Sequence, residues 1–158
     1  MYCLTRKADY GLRLMLEVAA QTEGSITVAD VAERKQIPYE YLRKVAQTLA
    51  SQGLLATERG FRGGVSLARP GETITLLDIV RAFESPALNR CTVDPSRCDL
   101  RDVCAVYPVW VEAQSEVDRV LGGARLSGII DRQAVLDARA SGREGAREAL
   151  LTRGGGNA

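Results

Sequence analysis

Residues 27–53 read TVADVAERKQIPYEYLRKVAQTLASQG, and this stretch decides the fold. Its first four residues have the Thr-x-x-acid pattern of a capping box, which predicts a short helix reaching about Lys35. Pro38 suits the first turn of a second helix, where its missing N–H costs little, and Gly53 suits the cap that ends it. The second helix carries apolar residues at helical spacing: Leu42, Val45, Ala46 and Leu49. Two helices joined by a short turn predict a helix-turn-helix.

The residues after Gly53 change from helical to strand periodicity. Residues 54–57 and 65–68 have strand length, and the glycine-rich stretch between them predicts a tight, positively charged hairpin tip. A hairpin directly after a helix-turn-helix is typical of a wing. Arg59 and Arg62 lie at its predicted tip, within reach of phosphates or of a minor groove.

Helix signals also flank this unit on both sides. Thr5 is the predicted cap of a first helix that ends near Gln21, and Thr75 repeats the capping pattern ahead of another helix. Farther along, apolar residues advance in steps of 4, 3, 4 and 3, as in a heptad seam: Val106, Trp110, Ala113, Val117 and Val120. Two heptads do not sustain an isolated coiled coil, so we expect the seam to join a larger dimer interface.

Positive charge is concentrated in residues 34–69. This stretch holds seven basic side chains against two acidic ones, although the whole chain has a net charge of only +1. A nucleic-acid site requires such an excess, and a solvated basic face is the alternative interpretation.

The chain contains four cysteines and no histidine. The missing histidine excludes Ser-His-Asp and Cys-His catalysis and His-rich zinc sites. No apolar run has the length of a signal peptide or a membrane span, so we expect a cytoplasmic protein. In that reducing compartment, clustered cysteines bind metal or sense redox state more often than they form structural disulfides.

Three of the cysteines lie close together in a segment without helical or strand periodicity. Cys91, Cys98 and Cys104 have the spacing C-x6-C-x5-C. Soft thiolates favour iron–sulfur clusters, zinc or Cu(I), and three of them leave one position for a fourth ligand.

Together these patterns predict a mainly α fold with a small β-hairpin, in which a winged helix-turn-helix domain precedes a long C-terminal dimerisation helix. We expect four regions: a DNA-binding winged helix-turn-helix domain over 1–84, a cysteine-bearing cluster loop over 85–105, the dimerisation helix with a short packing segment over 106–137, and a disordered tail over 138–158.

The sequence resembles the bacterial winged-helix regulators typified by IscR, NsrR and RirA, many of which carry an iron–sulfur cluster. The resemblance covers roughly residues 3–136. It rests on the order and spacing of LTRKADYGLR at 4–13, ADVAER at 29–34, IPYEYL at 37–42, GLL at 53–55, RGFRGGV at 59–65, ITLLDIV at 74–80 and the three clustered cysteines.

The resemblance implies a homodimer on a palindromic operator of double-stranded DNA. The second helix of each helix-turn-helix then lies in a major groove, the wings touch minor grooves, and the C-terminal helices cross between protomers. The residues expected at the DNA are Pro38, Tyr39, Glu40, Tyr41, Arg43, Lys44, Arg59 and Arg62. Arginine suits a bidentate contact to guanine, and lysine contacts phosphate as a point charge.

The resemblance also bears on the fourth ligand beside Cys91, Cys98 and Cys104. IscR-like proteins use a histidine three residues after the last cysteine, a position that is Tyr107 here. NsrR-like proteins use an aspartate from the first helix of the partner subunit, and the matching residue is Asp9. This match favours a [4Fe-4S] over a [2Fe-2S] cluster. An exposed pair between Asp9 and Arg13 is the alternative interpretation, and Cys3 is a rival donor.

We therefore expect a dimeric DNA-binding repressor, not an enzyme, whose DNA affinity is controlled by an iron–sulfur cluster that senses nitric oxide, redox state or iron supply. Three alternatives stay open: a structural zinc site at the same cysteines, a redox or electron-transfer protein, and a protein-binding module. A nucleotide-dependent redox enzyme is disfavoured because the glycines at 60–64 lie in a predicted hairpin and not between a strand and a helix.

Overall fold

The computed structural model describes residues 4–21, 26–58 and 63–153, with side chains through residue 141. The helices in these ranges are α1 (Arg6–Ala19), α2 (Val28–Arg34), α3 (Tyr39–Ser51), α4 (Leu76–Arg81), α5 (Arg90–Val93), α6 (Tyr107–Gly123) and α7 (Leu126–Arg153). Two strands, β1 (Leu55–Thr57) and β2 (Val65–Leu67), form an antiparallel hairpin. A mainly α fold with a small hairpin confirms the predicted fold class. None of the helices described is long and apolar enough to cross a membrane.

The predicted capping box begins α2. The Asp30 N–H donates to Thr27 Oγ1 at 3.1 Å, and the Thr27 N–H donates to Asp30 Oδ2 at 3.3 Å. The Thr27 hydroxyl, which donates to the same carboxylate at 2.6 Å, and the Thr27 N–H together hold the pKa of Asp30 below its ordinary range. The short first helix of the helix-turn-helix thus has a fixed start.

The end of α2 sets the turn to the second helix. The Gln36 N–H donates to the Glu33 carbonyl at 3.1 Å, and the Ile37 N–H donates to the Ala32 carbonyl at 2.9 Å. These two bonds form a Schellman motif, which requires a left-handed residue, and Gln36 has φ 53°. Ile37 is buried directly after it, so the turn is anchored in the core.

The same motif ends α3. The Gly53 N–H donates to the Ala50 carbonyl at 3.0 Å, and the Leu54 N–H donates to the Leu49 carbonyl at 3.0 Å. Gly53 has φ 67°, as the sequence predicted for this cap. The motif turns the chain directly into the hairpin, since Leu54 is buried and β1 begins at the next residue.

Helix α1 packs against both α3 and α4. Its side chains Leu14 and Met15 are fully buried with Leu42 and Leu49 of α3 in one apolar core. At Gly11 the absence of a side chain allows close approach, because a Cβ there would lie 2.3 Å from a ring carbon of Phe83.

The chain returns to the winged domain after α6. The Leu126 N–H donates to the Ile74 carbonyl at 2.9 Å, and the Leu76 N–H donates to the Ala124 carbonyl at 2.9 Å. Leu126 is 1% exposed and belongs to the main core. The C-terminal end of α6 is therefore fixed to the residues that begin α4.

Helix α7 continues to Arg153, where the sequence predicted a disordered tail from residue 138. Residues 134–141 are exposed, so packing within the chain explains the start of α7 at Leu126 but not its helical conformation over these residues. Most of residues 139–153 are alanine, arginine, glutamate or leucine, and the intrinsic preference of these residues for helix gives the physical reason. The division into four regions stays a prediction.

The two Schellman motifs predict stability changes of opposite sign. Gly53→Ala is expected to lower the free energy of unfolding by about 1–2 kcal/mol, because a Cβ disfavours the left-handed conformation. Gln36→Gly is expected to raise it, by less than about 1 kcal/mol, because it relieves the same strain at the cost of a more flexible unfolded chain. Urea unfolding of the two variants beside wild type measures both changes. A Gly53→Ala variant as stable as wild type would contradict the assignment.

Candidate DNA interface and cysteine site

The outward face of α3 is polar and basic. Because the apolar stripe of α3 points into the core, Tyr39, Glu40, Arg43 and Lys44 are exposed on the remaining surface. Pro38 is exposed as the N-cap residue of the same helix. Tyr39, at 47% exposed, is a large aromatic side chain in contact with water at the start of the helix. This surface has the chemistry that reads or contacts DNA.

Arg43 is paired within this surface. Its Nε and Nη2 donate to Glu40 Oε2 at 3.3 and 3.1 Å. Both side chains are well exposed, so the pair contributes at most about 1 kcal/mol and holds the guanidinium in position without burying it. A base or phosphate of DNA can displace such a partner, because an exposed ion pair is weak.

Tyr41, also predicted at the DNA, lies on a different side of α3. It is half-buried, and its ring meets the ring of Tyr10 edge to face, with 5.4 Å between centroids and 86° between planes. The guanidinium of Arg13 lies 6.0 Å from the centre of the Tyr10 ring. Tyr41 therefore connects α3 to α1, which no periodicity in the sequence indicates.

A groove separates the start of α3 from the base of the wing. Its volume is 350 Å³, and its lining includes Thr27, Tyr39, Thr57 and Glu58. The wing extends from this groove on β1 and β2. Arg59 and Arg62, predicted at the wing tip, lie outside the described residues.

The three clustered cysteines lie on a chain of short turns. Cys91 is in α5, Cys98 follows the 3-10 turn Pro95–Arg97, and Cys104 follows the 3-10 turn Arg101–Val103. All three are free thiols and partly exposed. Cys91 and Cys98 line one open cavity of 1180 Å³ together with Arg90 and Arg97.

The thiols are not gathered into a closed metal site. Within residues 4–21, 26–58 and 63–141, no three Cys, Asp or Glu side chains lie close enough to hold one metal ion. The donor set nevertheless fits a soft metal or a cluster, since all three thiols are partly exposed and two of them, Cys91 and Cys98, line a wide cavity. A complete site therefore requires the turns to rearrange so that the thiols converge, and a fourth donor in addition.

The predicted fourth ligand is engaged elsewhere in this chain. Asp9 Oδ2 lies 3.0 Å from Arg13 Nη2 on α1, and its side chain is 44% exposed. The i,i+4 pair foreseen as the alternative role of Asp9 is thus present within one protomer. Tyr107 is the first residue of α6, and Cys3 lies outside the described residues.

One polar residue that contacts residues 85–105, the cysteine segment, is not among the site residues that the sequence predicts. Gln114, in the middle of α6, is partly buried and hydrogen-bonds to the backbone at Pro86 and Leu88. On a helix, a single polar residue has the pattern of a solvent-facing position, so the sequence holds no signal for this contact.

Partial exposure of the thiols predicts their reactivity. In the native, metal-free protein, we expect Cys91, Cys98 and Cys104 all to be alkylated by iodoacetamide within the time of an unfolded control, because burial does not protect them. Mass spectrometry of the digested protein measures the labelling of each cysteine. A thiol that reacts only after denaturation would show that the segment packs more tightly than described.

Comparisons with known proteins agree with this architecture. A family model described as Rrf2, iron-dependent transcriptional regulator, matches residues 4–132. The HTH-type transcriptional regulator IscR of Escherichia coli (strain K12 / DH10B) is 31% identical over 152 residues, which cover 95% of this chain and 92% of IscR.

Solved structures are similar as well. CymR, the global cysteine regulator of B. subtilis, superimposes with a TM-score of 0.69 at 25% identity, over 84% of this chain and 98% of CymR. An IscR of T. potens gives a TM-score of 0.64 at 26% identity, over 83% of this chain and 88% of that one.

Proposed function

The chain belongs to the Rrf2 family of DNA-binding transcription regulators, and on this premise we propose that it is a homodimeric repressor whose DNA affinity is controlled by an iron–sulfur cluster. Family membership confirms the predicted resemblance, and its relatives are regulators, not enzymes. One observation carries the proposal: an exposed basic face on α3 and three free cysteines belong to the same small chain. The proposed location is the cytoplasm, where thiols stay reduced.

At the DNA, α3 is proposed to enter the major groove of each half-site. Arg43 is assigned to a base edge and Lys44 to phosphate, while Pro38, Tyr39 and Glu40 contact the groove from the start of the helix. Tyr41 supports α3 from the side of α1. The wing arginines, Arg59 and Arg62, are assigned to the minor groove.

A homodimer matches the surface of α6. Among its 17 residues none is fully buried, and Val109 and Val120 are 61% and 58% exposed. Of the predicted seam, Trp110, Ala113 and Val117 are partly covered within the chain, whereas both ends of the seam are exposed. A second copy that covers these valines removes apolar surface from water and places two copies of α3 on a palindrome.

The base contact of Arg43 is tested by its removal. Arg43→Ala is expected to weaken binding about 5- to 150-fold to a duplex that wild-type protein selects from a random pool, which corresponds to about 1–3 kcal/mol for a bidentate contact to guanine. Binding is measured at one salt concentration, because phosphate contacts make affinity depend on salt.

Arg119→Ala is the matched control, because Arg119 forms the same kind of exposed i,i+3 pair, with Glu116 at 2.7 Å, away from α3. Sedimentation first establishes that both variants keep the oligomeric state of wild type. Equal losses in the two variants would reject the assignment of Arg43.

For the cluster, Cys91, Cys98 and Cys104 of one protomer and Asp9 of the partner subunit are the proposed ligands, with [4Fe-4S] favoured over [2Fe-2S]. When bound, the cluster supplies a redox-active group that reacts with oxidants and nitric oxide. Asp9 must leave Arg13 to become a ligand, and it moves with α1. Because α1 packs on α3 through Tyr10 and Tyr41, a shift of α1 would change the position of α3 relative to the DNA.

The ligand set predicts which variants lose iron. After anaerobic reconstitution with iron and sulfide, Cys→Ser at position 91, 98 or 104 is expected to abolish bound sulfide and visible absorption, because each thiolate holds the cluster. Asp9→Asn is expected to lower the cluster content, and the matched control Asp102→Asn, an exposed carboxylate of the cysteine segment, to leave it unchanged. Binding of zinc without sulfide would replace the proposal with the structural zinc site.

A further inference from the structure

The side chain of Gln114, on α6, holds the backbone of the cysteine segment by hydrogen bonds. Its Oε1 accepts from the Leu88 N–H at 2.8 Å, and its Nε2 donates to the Pro86 carbonyl at 2.8 Å. Pro86 is buried, and Leu88 is partly buried three residues before Cys91. The amide thus holds the segment where the chain leaves the winged domain and begins to approach the first cysteine.

Further hydrogen bonds connect the Gln114 amide to the winged domain. Gln114 Nε2 also donates to Asp118 Oδ1 at 2.9 Å, one turn farther along α6. The other oxygen of that carboxylate, Oδ2, accepts from Arg81 Nη2 of α4 at 2.8 Å. The result is one polar network that contacts the cysteine segment, α6 and α4.

The chemistry of the network requires an amide at position 114. The side chain accepts from the Leu88 N–H and, at 3.5 Å, from the Thr92 hydroxyl, and it donates two hydrogen bonds; the two ends of a glutamine amide provide both functions. Glutamate cannot donate and would repel Asp118, whereas lysine cannot accept from the Leu88 N–H. Gln114 is therefore matched to its four partners.

We propose that Gln114 is the positioning residue of the cysteine segment, holding residues 86–88 on α6 and, through Asp118 and Arg81, linking them to the DNA-binding domain. After the buried Pro86, residues 87–105 contain no fully buried side chain, so polar contacts and not an apolar core hold the chain there. That Gln114 holds the segment in place does not depend on the proposed function; that this contact affects DNA affinity rests on the proposed function.

The positioning role is tested in the full-length, metal-free protein. Gln114→Met keeps the length of the side chain and removes its hydrogen bonds. The Leu88 amide is expected to exchange with deuterium at least about five-fold faster than in wild type, because loss of one hydrogen bond shifts a local opening equilibrium by about that factor. Unchanged exchange at Leu88 would overturn the proposal.

Gln133→Met is the matched control. Gln133 also donates to a carboxylate four residues on, Asp137 Oδ1 at 2.8 Å, and lies exposed on α7. Gln133→Met removes the same kind of i,i+4 hydrogen bond between glutamine and aspartate, but Gln133 does not contact the cysteine segment. Exchange at Leu88 is therefore expected to equal that of wild type. If both variants accelerated exchange equally, the effect would be general and the positioning role of Gln114 would be rejected.

The link to DNA is tested by the ratio of DNA affinities between protein reconstituted with iron and sulfide and metal-free protein. Arg81→Met breaks only the contact of the network with α4. Exchange at Leu88 is expected to stay as in wild type, whereas the affinity ratio falls by at least about five-fold. If both Arg81→Met and Gln114→Met keep the affinity ratio of wild type, the link is rejected. A ratio of one in wild type rejects cluster control and leaves the exchange result to decide the positioning role.

Discussion

Burial of one face of α3 is the constraint on which the remaining structure depends. Leu42 and Leu49 are completely inaccessible to water, and Val45 and Ala46 nearly so. Each large apolar side chain contributes about 1.5–3 kcal/mol when buried, far more than the exposed pair between Arg43 and Glu40. The core therefore fixes the rotation of α3 about its axis. A rotation by one residue would bring a basic side chain inward, and so the apolar stripe decides which residues can face DNA.

Helix α1 contacts α3, the residues that follow α4 and the residue before the cysteine segment. It packs on α3 through the rings of Tyr10 and Tyr41, and on the end of α4 through the contact of Gly11 with Phe83. At its start, the Thr5 N–H donates to Glu84 Oε1 at 3.0 Å, immediately before the cysteine segment. Helix α1 thus contacts α3, which is proposed to face DNA, and the residue that directly precedes the cysteine segment, so a ligand on α1 would connect the two proposed sites.

The sequence predicts those parts of the structure that depend on neighbours along the chain. Both capping boxes, the stripe of α3 and the left-handed Gly53 are set by residues within a few positions of one another, and all are present. Gln36 is left-handed although it is not glycine, because burial of Ile37 after it holds the turn. Tyr41 faces α1, and Gln114 binds residues 26 and 28 positions away. Contacts between residues that are distant along the chain produce no local sequence pattern, so the sequence does not predict them.

The cysteine segment differs from the winged domain in the kind of interaction that holds it. Val93, Leu100 and Val103 are exposed, although burying them would contribute about 1.5–3 kcal/mol each. Hydrogen bonds to Gln114 contribute about 1 kcal/mol apiece, so the segment can detach at small cost. A segment anchored by an apolar core would need to unfold before its thiols could move. A segment held by a few polar contacts can change position while the winged domain stays folded, and a shift between two arrangements requires this separation of stabilities.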